Sequence, residues 1–130
     1  MIGWALLAVG AGAVLGAYAR WTLATWFNGA LTHLPLGTLL ANAIGGYLVG
    51  LAIAWFAQNP GASPELRLFV ITGFLGALTT FSTFSAESVA LLTRGEYGWA
   101  TAHIALHLGC SLLLTIAGIQ TVHFVTRSAA

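Results

Sequence analysis

Between Thr79 and Ser85 five of seven residues carry a side-chain hydroxyl, inside a stretch that is otherwise strongly apolar. Ser and Thr hydroxyls compete for backbone hydrogen bonds and Thr is β-branched, so this run, placed just after Gly73 and Gly76, predicts a break in a helix. Carbonyls released by a break can hold a small cation. The alternative is an unbroken helix with each hydroxyl bonded one turn back. Phe81 and Phe84 lie three apart and share a face with the hydroxyls, among them Ser82 and Thr83. The positive edge of a phenyl ring favours an anion without the full charge that would trap it. Packing is the plainer role for such a pair.

Further polar side chains recur at helical spacing in the neighbouring segments. Thr38 and Asn42 stand one turn apart, and the Asn42 amide has two N–H donors, suited to an interhelical bond or to presentation to an anion. His103, His107, Ser111 and Thr115 follow at four-residue intervals and form one polar stripe that should face protein or water, not lipid. Two histidines at that spacing can bind zinc, but the sequence offers no evident third ligand and no HEXXH glutamate, so a polar track is the better reading. Glu87 is the one acidic residue well inside an apolar segment, which makes it a functional candidate as a neutral acid, a partner of Arg20 or a proton-coupling group. Gly12, Gly16 and Arg20 form a small-residue stripe that ends in a cation, placed either to keep a vestibule positive or to snorkel to headgroups. There is no nucleophile–base pair, metal motif or phosphate loop, so an enzyme is not expected.

The elements that must position these groups follow from composition. Of 130 residues, 58% are hydrophobic and 5% charged, far below the roughly 25% charge of a soluble domain. A net charge of +1 leaves no footprint for nucleic acid. Crossing a hydrocarbon core of about 30 Å takes roughly 20 apolar residues, and four crossings fill the chain as a single four-helix transmembrane domain. The predicted spans cover about residues 2–26, 36–57, 65–93 and 97–126. The first is too long and too poor in basic residues to read as a cleaved signal peptide. Asn28-Gly29 with Pro35 marks the first link, and Ser63-Pro64-Glu65 is a helix start. Gly46 and Gly50 allow close helix approach. Cys110 has no partner for an intrachain disulfide. Arg67 and Arg127 fall on one side of the four spans, Arg20 and Arg94 on the other. The usual excess of basic residues that sets orientation is missing, which allows copies to insert both ways as an antiparallel homodimer.

Gly73-Phe74-Leu75-Gly76-Ala77-Leu78-Thr79-Thr80-Phe81-Ser82-Thr83-Phe84 with Glu87 resembles the signature of the Fluc (CrcB) fluoride channels. Asn42-Ala43-Ile44-Gly45 and Gly16-Ala17-Tyr18-Ala19-Arg20 resemble that family's motifs in other spans, and the similarity covers nearly the whole chain. The resemblance implies an all-α membrane protein with a broken third helix, assembled as an antiparallel dual-topology homodimer in the cell inner (plasma) membrane. It implies two passive pores, highly selective for fluoride over chloride, that lower cytoplasmic fluoride. Phe81 and Phe84 would line the pores, Asn42 would be the span-two asparagine, and Ser111 and Thr115 would belong to the span-four track. The backbone carbonyls of Gly76 and Thr79 would hold a structural Na+ between subunits. His103 and His107 depart from the hydroxylated or aromatic residues expected there.

Two other classes remain open on the residues alone. A proton-coupled small multidrug exporter would use Glu87, although such a glutamate is expected in the first span, where this chain has none. A non-transporting membrane subunit would serve only as a packing partner.

Overall fold

Four apolar stretches become helices long enough to cross a bilayer, with mean hydropathy between 1.5 and 1.8. The computed structural model describes residues 1–130. Helix α1 spans Ile2–Phe27 and α2 spans Leu36–Gln58. The third crossing is built in two halves. Residues 64–78 form α3, whose middle, Leu68–Leu75, is wound as a π-helix, and Phe81–Thr93 form α4. Helix α5 spans Tyr97–Ser128. Even the 23 residues of α2 rise about 34 Å, more than the hydrocarbon thickness. The chain is therefore a multi-pass, all-helical membrane protein with an interruption in its third crossing.

Local chemistry explains where the segments begin and end. Ser63 Oγ accepts the Leu66 N–H at 3.1 Å, with Pro64 and Glu65 in the first turn of α3, so free amides and the positive helix end are both met. At the end of α4, Gly95 takes φ +73°, and its N–H bonds Leu92 O at 3.0 Å while Glu96 N–H bonds Leu91 O at 2.9 Å. This is a Schellman closure, and the left-handed residue it needs is glycine. Helix α2 is capped from outside: Asn28, just past α1, accepts the Thr38 N–H at 2.9 Å.

Two close pairings carry the bundle, α1 against α3 and α2 against α5. A Cβ on Gly12 or Gly16 would collide with the carbonyl oxygens of Phe69 or Phe74, and one on Gly50 or Gly118 with those of Thr115 or Tyr47. Small residues are thus required for backbone-to-backbone approach, the main source of helix association in lipid. Outer faces remain apolar and uncovered, with Trp4, Trp21, Leu113 and Phe124 among many exposed large side chains.

The links are tied outside the spans. Glu96 accepts from Arg94 Nε at 2.8 Å and lies 2.8 Å from His33 Nδ1, while the His33 ring stacks on Trp99 with centroids 4.9 Å apart. The His33 contact first, and the Arg94 bond second, hold the Glu96 carboxyl below its ordinary range.

Gly50→Val should destabilise the detergent-solubilised protein by at least ~1–3 kcal/mol through overpacking, read as a lower unfolding temperature. Gly10→Val, at a position with nothing within 4 Å of the added carbon, should leave that temperature unchanged. Because the Glu96 pKa is depressed on folding, its stabilisation is present above the unfolded value of about 4.3 and is lost as pH falls through the lower native value. Wild type should therefore exceed Glu96→Gln in thermal stability at neutral pH, and the gap should close as the pH is lowered below that range.

Candidate functional site

The third crossing breaks at Thr79 and Thr80, both in extended backbone, with φ/ψ of −85°/153° and −149°/112°. Breaking a helix inside a membrane strands backbone groups that water cannot satisfy. Here Asn42 of α2 takes both sides of one residue. Its Oδ1 accepts the Thr80 N–H at 2.7 Å and its Nδ2 donates to Thr80 O at 3.1 Å. A side-chain amide thus replaces a neighbouring strand. Thr80 Oγ then caps α4 by accepting the Thr83 N–H at 3.1 Å.

These substitutions decide which carbonyls are left. In a continuous helix Gly76 O would accept from Thr80 N–H and Thr79 O from Thr83 N–H; those donors go instead to Asn42 and to the Thr80 hydroxyl. Ala77 O accepts from Arg20 Nε at 2.9 Å. Arg20 therefore caps the negative end of α3 rather than reaching for headgroups. Neither does it pair with Glu87, one of the partners the sequence suggested.

The break opens onto a groove of about 410 Å³ lined by Asn42, Gly76, Thr79, Phe81, Phe84, His107, Ser111 and Thr115, among others. Phe81 and Phe84 have ring centroids 5.5 Å apart but different settings, since Phe81 is 76% exposed and Phe84 only 8%. Phe84 rests on His103 and His107, with centroids at 5.5 and 4.9 Å. The hydroxyls divide into two groups. Thr79 and Ser85 bond one turn back at 2.8 Å, whereas Ser82 and Thr83 gather around Thr80 Oγ at 3.3 and 3.0 Å. Thr115 Oγ lies 2.8 Å from Ser111 O and 3.0 Å from Gly46 O, where it ties α5 to α2.

Glu87, on α4, is brought to both histidines of α5. Its Oε1 accepts from Thr38 Oγ at 2.7 Å and its Oε2 stands 3.5 Å from His103 Nε2. Ligand atoms of Glu87, His103 and His107 all fall within 4.8 Å of one another, so the third group missing from the sequence pattern comes from a different helix. His107 Nδ1 lies 3.1 Å from Asn42 Nδ2. Glu87 Oε2, His103 Nε2 and His107 Nε2 are buried without a hydrogen-bond partner, an uncommon state that calls for an explanation.

Sequence reasoning missed the caps made by Asn28 on α2 and Arg20 on α3, and it foresaw an interhelical bond for Asn42 but not its partner at the break. The only available signal was residue type, a polar group at one end of each stripe, because the partner backbone lies 10, 57 and 38 residues away.

Asn42→Ala would leave the Thr80 N–H and C=O without partners, at about 1–3 kcal/mol for each orphaned group. The unfolding temperature in detergent should drop well below that of Ser82→Ala, which removes an exposed hydroxyl. Equal temperatures for the two variants would remove Asn42 as the clamp.

The family described as CrcB-like protein, Camphor Resistance (CrcB), matches residues 7–119. Similar relatives include proteins of Paraburkholderia xenovorans, 53% identical over 95% of this chain and 98% of the relative, and Nitrosospira multiformis, 56% identical over 95% and 97%. A protein of Cupriavidus necator is 58% identical over 88% of this chain and 91% of its own. Each of the three bears the name Fluoride-specific ion channel FluC. A broken third helix clamped by Asn42, with a match over nearly the whole chain, makes this protein a member of the CrcB family.

Proposed function

We propose that the chain is a passive, fluoride-selective anion channel that works as an antiparallel homodimer with two pores in the inner (plasma) membrane. The observation that carries the reading is the break at Thr79–Thr80, which opens a groove lined by Phe81, Phe84 and uncharged polar side chains, with no fixed cation on its wall. Relatives that share more than half of their residues with it carry the fluoride-channel name.

Fluoride is small and strongly hydrated, so a dry path must replace its water with several donors while still letting it leave. The edges of Phe81 and Phe84, the hydroxyls of Ser82, Thr83 and Ser111, and the His103 and His107 rings supply such contacts, while Thr115, whose O–H is directed to Ser111 O and Gly46 O, holds α5 against α2 beside them. Thr38 and Asn42 support that wall from α2. The first amides of α4 add the positive end of a helix at the break, again without a full charge. Arg20 leaves the path uncharged as well, because its guanidinium is directed to Ala77 O on the α1 side.

A second copy accounts for the open side of the groove and for the balance of Arg67 and Arg127 against Arg20 and Arg94. The freed carbonyls of Gly76 and Thr79 suit a hard, oxygen-seeking cation, and a Cβ at Gly76 would meet nothing nearer than Ile71 O at 3.5 Å, so that backbone is open. These carbonyls, with their counterparts in the second copy, would hold a structural Na+ whose part is to balance the carbonyl ends of two broken helices.

Purified protein in liposomes should release fluoride, read with a fluoride electrode, and leave chloride inside. Release that follows a proton gradient and stops in Glu87→Gln would favour an exporter instead. Phe81→Ile or Phe84→Ile should cut the flux by about tenfold or more, one hydrogen-bond-sized contact or better, with the dimer intact on a sizing column. Unchanged flux in both variants would remove the rings from the path.

A further inference from the structure

Two hydrogen bonds establish which atom of the Asn42 amide is which. A backbone N–H only donates, so the Asn42 atom 2.7 Å from Thr80 N is the oxygen. The other atom is then the NH2, which lies 3.1 Å from both Thr80 O and His107 Nδ1. An NH2 only donates, so His107 Nδ1 must accept with its lone pair. A neutral imidazole has one proton, and that proton is left on Nε2, the buried atom for which no partner exists within the chain.

We propose that Asn42 locks His107 as the Nε2–H tautomer and that this N–H is an uncharged donor for a small anion on the groove wall. The proposal rests on the anion-channel reading and assigns it a specific atom. The lock presents one N–H and no positive charge. A bare Glu87 carboxylate would oppose a nearby anion. Thr38 donates to one of its oxygens and His103 Nε2 stands 3.5 Å from the other, so both oxygens are directed to neighbours inside the bundle. Phe84 packs on both imidazoles beside this donor.

The same lock argues against metal binding by the three clustered residues, despite the spacing of their ligand atoms. A metal needs the lone pair of His107 Nε2, which sends the ring proton to Nδ1. There it would face the Asn42 N–H, donor against donor. Turning the amide over would only move the conflict to Thr80 N–H.

The test uses the full chain with 15N-labelled histidine in micelles, with His107 assigned by its absence in His107→Gln, and liposome flux in parallel. The expected spectrum has His107 as the Nε2–H tautomer at neutral pH, unchanged by added Zn2+. His107→Phe, a ring without the donor, should lower fluoride efflux by about tenfold, the scale of one hydrogen bond, and His107→Gln should recover most of that loss. An Nδ1–H signal, a His107 resonance that moves with Zn2+, or a His107→Phe rate equal to an active wild type would overturn this proposal and leave the channel reading standing. A silent wild type would remove the channel reading and the donor role with it.

Discussion

The pairing of Asn42 with Thr80 is the contact on which the rest of the structure depends. A helix interrupted inside a membrane leaves amides and carbonyls that neither lipid nor water can satisfy. One side-chain amide meets both groups of Thr80, at 2.7 and 3.1 Å, and allows the chain to run extended for two residues before α4 begins. Three consequences follow from that substitution. Gly76 and Thr79 lose their helical donors, the negative end of α3 becomes available to Arg20, and α4 presents its own positive end at the same point.

The break is held in place from both sides. Glycines on α1 let that helix lie against the backbone of α3, and Arg20 extends the contact to Ala77. Glycines on α2 and α5 bring Asn42 and His107 to a shared wall. Larger residues at these contacts would lift the helices apart and leave Asn42 short of its partner. Close packing thus serves polar geometry, and the apolar outer faces are left for lipid or for a second copy.

Polar side chains along the wall are arranged so that charge is either absent or matched. Arg20 is directed to a carbonyl, Glu87 to a threonine and a histidine, and Arg94 and Glu96 to each other beyond the spans. What faces the groove is the Asn42 amide, the His107 imidazole, threonine and serine side chains and the Phe81 and Phe84 rings, set among aliphatic residues. In the channel reading, such a surface would offer a small anion many weak donors, which permits both entry and exit.

Much of this was legible in the chain itself. Composition required a membrane protein, the length of four apolar runs required four helices, and the hydroxyl run after Gly76 predicted a break, because each rests on local propensity and solvent preference alone. Ser63 as a cap and Gly50 as a contact were legible for the same reason. The destination of each polar group was not. Asn42 reads equally as a donor to an anion, Arg20 as a snorkelling cation, and His103 with His107 as two ligands short of a third. Their partners are Thr80, Ala77 and Glu87, each carried on another helix. Spacing within one helix says which side chains share a face, but hydrogen bonds and ring tautomers depend on the rotation and depth of two helices at once, and only tertiary packing sets those.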